Sequence, residues 1–219
     1  FKQKTAYEML RSLVGSEMCI RDRIVQDAAY ATLVYGREPL SILSRPGGSE
    51  VAVELHSMSK SYNMTGWRLG FVAGSAMAVK AYAEVKDNVD SGQFKAIQVA
   101  AAAGIADRSM ADAIKAHYES RLRKMVAALR NAGFDASMPG GTFYLYVPAP
   151  CAAGSVRFSC AEEASQFLIR NALISTVPWD DAGAYLRFSA TFESRCDDDD
   201  DRVIGELAER LGRLNLKWA

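Results

Sequence analysis

The sequence predicts an α/β protein built in two parts. Three observations carry that prediction. Between Ile24 and Gly74, short apolar runs closed by polar or glycine residues alternate with turn-forming clusters, as strands of a buried sheet do. From Ala76 to Gly133 the pattern turns helical. Beyond Gly133, strand-like runs alternate with helical ones, the signature of a smaller α+β module.

The elements follow in order. "IVQD" is a short apolar run ending on Asp27 and reads as a strand. "AAYATLVYGREPL" reads as a loop broken by Gly36 and Pro39, and "RPGGSE" as a turn. "VAVELHSM" is a second strand, ending near Lys60, and "RLGFVAGS" a third, closed by Gly74 and Ser75. A helix starts near Ala76, and Val79, Tyr82, Ala83 and Val85 mark its amphipathic face. The polar "DNVDSGQF" breaks it at Gly92. The alanine-rich stretch from Ala96 to Ala106 predicts a closely packed helix, and residues 108–132 predict one long helix stopped by Gly133. "FDAS", "GTFYLYVPA" and "YLRFSATF" read as strands. "SCAEEASQFLIRNA" reads as a helix that begins near Ser159 or Cys160, and "DDDDDRVIGELAERLGRL" as the closing helix. The aspartate run is the only low-complexity piece, and its plain reading is a solvated first turn whose charge complements the helix dipole.

Composition narrows the function. The 219 residues are 49% hydrophobic, enough for a sizeable core without disulfides. Lys plus Arg and Asp plus Glu number 26 each, a balance that argues against a nucleic-acid surface or an anionic-membrane surface. Cys19, Cys151, Cys160 and Cys196 make no CxxC or zinc-type spacing, and the two histidines, His56 and His117, are too few for a typical zinc site, so no metal is expected. That cysteine usage fits a reducing cytoplasm. No apolar run reaches membrane-spanning length, and the first residues lack the charged start and apolar block of a secretory signal. His56 reads as a packed or hydrogen-bonded histidine and His117 as an exposed one.

The chemistry concentrates in "SMSKSYNMTGWRLG", Ser57 to Gly70. A lysine at the end of a buried strand is costly as a spectator, because burial disfavours the ammonium. The same setting suits a lysine that condenses with an aldehyde, which needs a neutral amine. Ser57, Ser59, Ser61 and Arg68 supply donors for a nearby anion, and an arginine grips two phosphate oxygens at once. A phosphate beside an amine-reactive aldehyde describes pyridoxal 5'-phosphate (PLP), whose pyridinium nitrogen takes a carboxylate partner. Asp27, ending a neighbouring strand, is the candidate carboxylate. Tyr30, three residues on, is the candidate partner of the ring's phenolic oxygen. Singly these signals are weak: a lone Ser-x-Ser-Lys, an Asp-x-x-Tyr turn or one surface arginine carries little. Their joint occurrence in this order carries the reading.

"HSMSKSYNMTGWRLGFVAG" resembles the lysine segment of the class I/II aminotransferases, which are fold type I PLP-dependent transferases, and within them is most similar to the LL-diaminopimelate aminotransferase branch. "QDAAYATLVY", "KDNVDSGQFKAIQ", "GGTFYLYV" and "STVPWDDAGAYLRFSATFE" extend the resemblance from about Ile24 to the end. It implies that Lys60 holds the cofactor and shuttles a proton, and that Asp27 and Tyr30 pair with the ring. It implies that Ser57 and Arg68 bind the phosphate and that Arg187 grips the substrate α-carboxylate. Read without it, Arg187 is a polar break in a strand. The resemblance also puts Asn88 and Ser91 near a dimer interface, with a helix-breaking turn as the alternative. It makes Trp179, Asp180 and Asp181 shape a substrate pocket, with a plain loop as the alternative. The implied activity is transfer of an amino group between an amino acid and a 2-oxo acid, with LL-diaminopimelate and 2-oxoglutarate the preferred pair, in a cytoplasmic homodimer. A transaminase of other amino acids or a β-lyase of the same fold is the second reading. A non-catalytic sensor domain is the third, disfavoured by the lack of a helix-turn-helix or basic patch.

Two departures accompany the resemblance. Residues 1–23, "FKQKTAYEMLRSLVGSEMCIRDR", carry a weak helical stripe but resemble translated sequencing-adapter read-through, so fold reasoning starts at Ile24. A complete member of the family is expected to be roughly twice as long. Its glycine-rich phosphate turn, its ring-stacking aromatic and the asparagine near the ring oxygen have no counterpart here. The expected organisation is therefore the C-terminal part of a fold type I transferase. Residues 24–110 would form an incomplete large α/β domain and residues 111–219 a small α+β domain, with the chain alone inactive.

Overall fold

The computed structural model describes residues 23–90 and 92–218. The adapter-like or helical reading of residues 1–22, including Cys19, and the interface reading of Ser91 lie outside the described residues. The described chain divides into two compact units: residues up to Ala31 with Pro39–Asp107, and Thr32–Glu38 with Arg108 onward.

The first unit is built on a three-stranded sheet. Strand β1 (Ile24–Asp27) runs parallel to β2 (Ala52–Ser57), and β3 (Gly70–Gly74) runs antiparallel on the other side of β2. Asp27 lies opposite Leu55, and Ser57 opposite Gly70. At the tail of β3, Gly74 has φ 137°, and a Cβ there would lie 2.2 Å from the Ala52 carbonyl oxygen, so only glycine lets the strands approach. Before β2, a 3₁₀ turn (Ile42–Ser44) precedes the predicted turn, which runs into a one-turn helix α1 (Gly48–Val51). After it, the chain enters a second one-turn helix, α2 (Met58–Ser61). Lys60 is therefore not the last residue of a strand, as the sequence suggests, but sits one helical turn beyond it. The cause is local: the Ser57 Oγ accepts the Ser59 N–H at 3.2 Å and caps a turn at the strand's end. Helices α3 (Ala76–Val89) and α4 (Lys95–Ala106) complete the unit. The apolar stripe of α3 is where predicted, but no residue of α3 is buried.

The second unit centres on α5 (Arg108–Asn131), which buries Tyr118, Leu122, Met125, Val126 and Leu129 along one face. Gly133 (φ 93°) stops it as expected, and its bare Cα leaves room for the Trp218 indole, which a Cβ would meet at 2.6 Å. Strands β4 (Tyr144–Pro148), β8 (Tyr185–Ser189) and β7 (Val177–Trp179) form an antiparallel sheet with β8 in the middle. A smaller sheet joins β6 (Val156–Arg157), β5 (Ala152–Ala153) and β9 (Leu216–Lys217). Helices α6 (Ala161–Ala172) and α7 (Asp197–Gly212) add Leu168 and Leu211 to a core shared with Leu145 and Leu186. The predicted strand "FDAS" is absent: its backbone is satisfied by the end of α5 instead, through Phe134 N–H to the Leu129 carbonyl (3.0 Å) and Arg130 Nε to the Ala136 carbonyl (2.6 Å). The predicted loop after Asp27 contributes Leu33 and Tyr35 to this unit, where the Tyr35 hydroxyl donates to the Thr142 carbonyl (2.8 Å).

Among the described residues, no helix is long and apolar enough to cross a membrane, and no group of three or more His, Cys, Asp or Glu is placed to hold a metal.

Candidate active site

In the first unit the predicted residues collect at the C-terminal ends of two parallel strands. That is where ligands bind in open α/β sheets. Asp27 is the last residue of β1, and its carboxylate is exposed and turned back on the chain, accepting the Ala29 N–H at 3.2 Å. This short Asp turn swings the chain so that Tyr30 faces the next strand's exit. Its ring centre lies 5.9 Å from Lys60 Nζ. Lys60 and Tyr30 are both half-buried. The turn carrying Lys60 is anchored by buried Met58 and Ser59 before it and buried Ser61 after it, and Thr65 donates to the Ser59 carbonyl at 2.8 Å.

Ser57 and Arg68 flank that turn. The Ser57 hydroxyl accepts the Ser59 N–H through one lone pair, which leaves its own proton for an acceptor. Arg68 is exposed and holds a left-handed backbone (φ 53°), a conformation that costs a bulky residue about 1 kcal/mol. One guanidinium N–H of Arg68 goes to the Thr65 carbonyl (2.9 Å), which leaves other donors of the fork for an anion. The residues present thus match the chemistry of PLP: a lysine amine, a carboxylate, a phenol, and a hydroxyl with a guanidinium.

His56 is hydrogen-bonded, as expected, to the buried Glu54 (2.9 Å) and stacks on Phe71 (4.7 Å between ring centres). Burial of Glu54 opposes its charge, but hydrogen bonds from Ser41, His56 and the Leu43 N–H outweigh that and hold its carboxyl below the usual range.

In the second unit Arg187 occupies the middle of β8, opposite Tyr146 on β4 and Val177 on β7. Its guanidinium stacks on the Tyr144 ring, 4.2 Å from the ring centre. Its Nε–H is buried and has no hydrogen-bond acceptor, an arrangement that calls for a planar anion. Asp180, expected to shape a pocket, instead caps α6, accepting the Ala161 N–H (2.7 Å) and the Glu162 N–H (3.3 Å). Trp179 is exposed at the end of β7, and Asn88 spends its amide on the Glu84 carbonyl (2.7 Å).

A family model for aminotransferase class I and II matches residues 21–190. The chain belongs to the class I and II aminotransferases. It is 53% identical over 199 residues to the LL-diaminopimelate aminotransferase of Methanococcus maripaludis, covering 88% of this chain and 48% of that protein. It is 49% identical over 203 residues to the LL-diaminopimelate aminotransferase of Methanocaldococcus jannaschii, covering 89% and 49%. The apo structure of BacF from Bacillus subtilis superposes with a TM-score of 0.81 at 26% identity, over 99% of this chain and 56% of that one. The fold is that of the fold type I transferases, and class I and II aminotransferases are PLP-dependent. The chain spans about half the length of the curated relatives it matches.

The sequence reading missed one constellation. Asp200 is not a solvated member of the aspartate run: it is buried and binds Arg121 of α5. Burial alone would raise its carboxyl, but the bonds from Arg121 and Ser194 and the charges of Arg121 and His117 hold it below the usual range. His117 is accordingly half-buried rather than exposed. The signal was in the spacing. Asp200 lies on the stripe that continues through Ile204 and Leu211, and Arg121 lies on the stripe of Tyr118, Leu122 and Met125.

Proposed function

We propose that the protein transfers an amino group between an amino acid and a 2-oxo acid, using PLP bound at Lys60. The observation that carries this is the placement of the Lys60 amine one turn beyond β2, facing the Tyr30 ring at 5.9 Å, next to the end of β1 that bears Asp27. Bound there, the cofactor supplies a ring that draws electrons from the substrate Cα. The Lys60 amine binds the cofactor and carries the proton to and from that carbon. The Asp27 carboxylate keeps the ring nitrogen protonated, and the Tyr30 hydroxyl donates to the ring oxygen. Ser57 and Arg68 hold the phosphate, and Arg187 orients the substrate by its α-carboxylate. The names of the relatives support LL-diaminopimelate as amino donor and hence a place in lysine biosynthesis; 2-oxoglutarate as acceptor is part of the same proposal. Homodimer assembly and a cytoplasmic location belong to the same reading.

Incubation of the chain with PLP, borohydride reduction and peptide mapping tests the cofactor site. A covalent adduct at Lys60, lost in Lys60→Ala, is expected. Labelling scattered over exposed lysines such as Lys80, unchanged by Lys60→Ala, overturns the reading. Glutamate formed by the whole protein from LL-diaminopimelate and 2-oxoglutarate tests the substrates, whereas pyruvate released from cystathionine favours the lyase reading. Because the chain spans half its relatives' length, no turnover is expected from these 219 residues alone.

A further inference from the structure

We propose that Arg121 and Asp200 are positioning residues for Arg187, holding the exit of β8 so that its guanidinium meets a carboxylate in one defined place. The inference rests on the reading of Arg187 as a carboxylate grip. Every donor-bearing nitrogen of Arg121 is engaged. Nε and Nη2 bind the two carboxylate oxygens of Asp200 at 2.9 and 2.8 Å. Nη1 donates to the Ala190 carbonyl (3.0 Å) and the Phe192 carbonyl (2.8 Å), and Nη2 also donates to the Ser194 hydroxyl. The Phe192 ring lies against the guanidinium, 4.2 Å from its central carbon.

All the targets other than Asp200 lie on one segment, the chain leaving β8 just after Arg187. Ala190, three residues on and about 10 Å along the strand, is fully buried and also donates its N–H to the Phe143 carbonyl (2.9 Å). The ladders to β4 and β7 hold β8 from the sides, and the Arg121 clamp holds the point at which it turns away. Stability alone does not account for such a device. Ordinary apolar packing of the same volume often serves as well as a buried ion pair. What the pair adds is directional: a planar fork that admits only one arrangement of the carbonyls it binds. Misplacement of a binding group by about 1 Å is enough to cost a hundredfold in rate, so a grip built on a strand benefits from a fixed strand end.

The test is a titration of the full chain with 2-oxoglutarate, read on the arginine side-chain N–H signals by NMR. The Arg187 Nε–H sits beside the Tyr144 ring and reports its own position through the ring's shielding. In Arg121→Lys and Asp200→Asn that signal is expected to move before any ligand is added, and the affinity for 2-oxoglutarate to fall at least tenfold. Ser194→Ala removes one bond at the rim of the clamp and leaves the ion pair, so a smaller shift in the same direction is expected even if the other two variants do not fold. Ile204→Val, a core change on α7, should alter neither readout. An unmoved Arg187 signal with unchanged affinity in the clamp variants overturns the proposal, as does an equal loss in Ile204→Val. If Arg187→Lys itself keeps wild-type affinity, the carboxylate-grip reading fails, and the positioning role fails with it.

Discussion

At the scale of single residues, two buried carboxylates carry charge where burial opposes it, and both link stability to pH. Asp200 and Glu54 have folded-state pKa values below their unfolded ones. Their stabilisation is therefore complete above the unfolded carboxylate range near 4 and is lost as pH falls below it. Asp200→Asn should destabilise the second unit by about 3 kcal/mol at neutral pH, the usual cost of breaking a buried pair. That difference should shrink as the wild type is acidified through pH ~4. Thermal melts at neutral and acidic pH check it, and a difference that does not change with pH would refute the assignment. Gly133 is a second sensitive position. Gly133→Ala adds a methyl in the left-handed region and drives it against the Trp218 indole, so a loss of about 2 kcal/mol or more is expected by the same melts. Gly205 has nothing within 4 Å of where a Cβ would lie, so Gly205→Ala on α7 should be neutral or slightly stabilising.

At the scale of elements, what was legible and what was not divide by the origin of the signal. The long helix α5 announces itself by its stripe and its glycine stop, and both hold in the structure. Strands β1, β2, β3, β4 and β8 were visible as apolar runs. The one-turn helices α1 and α2 were not, because each rests on a few backbone bonds, α2 with the Ser57 cap besides, rather than on periodicity. "FDAS" looked like a strand because Phe134 and Ala136 alternate with polar residues, yet both are buried in coil against the end of α5. The site shows the same split. Lys60, Asp27 and Tyr30 are singled out by chemistry and order, and they lie at or just beyond the C-terminal ends of β1 and β2, with the Tyr30 ring centre 5.9 Å from Lys60 Nζ. The Arg121–Asp200 clamp was hidden inside what looked like a uniform acidic run, since charge composition does not reveal which of five aspartates faces inward. The helical stripe does, and it makes a packing prediction as well. Leu122 follows Arg121 on α5 and is fully buried, so Leu122→Ala should cost about 2–5 kcal/mol in a denaturant melt. A cost under ~0.5 kcal/mol, the range of surface changes, would mean that α5 is not the core helix described.

At the scale of the whole chain, the two units differ in how well they cover their own apolar surface. The second unit fully buries Leu122, Leu129, Leu145, Leu168, Leu186 and Leu211, although Leu173 is exposed, whereas the first leaves Val25, Tyr82, Val85, Val89, Phe94 and Val99 exposed, Val89 by 76%. Among the described residues, β1 and β3 each pair with β2 alone, so each has one edge without a strand partner. An unpaired edge beside apolar side chains is a template for another chain. The 219-residue chain should therefore self-associate with rising concentration, seen as growth in mass by light scattering. Amide exchange should be fast in β1 and β3 and slow in β4, β8 and α5, because backbone bonds are protected by the core that covers them. Val25→Lys puts a charge on the exposed edge of β1 and should lower the association without changing the exchange of the second unit. A chain that stays a single monomer at all concentrations, melts in one cooperative step and protects β1 as well as β8 would show that the apolar surface of the first unit is already satisfied.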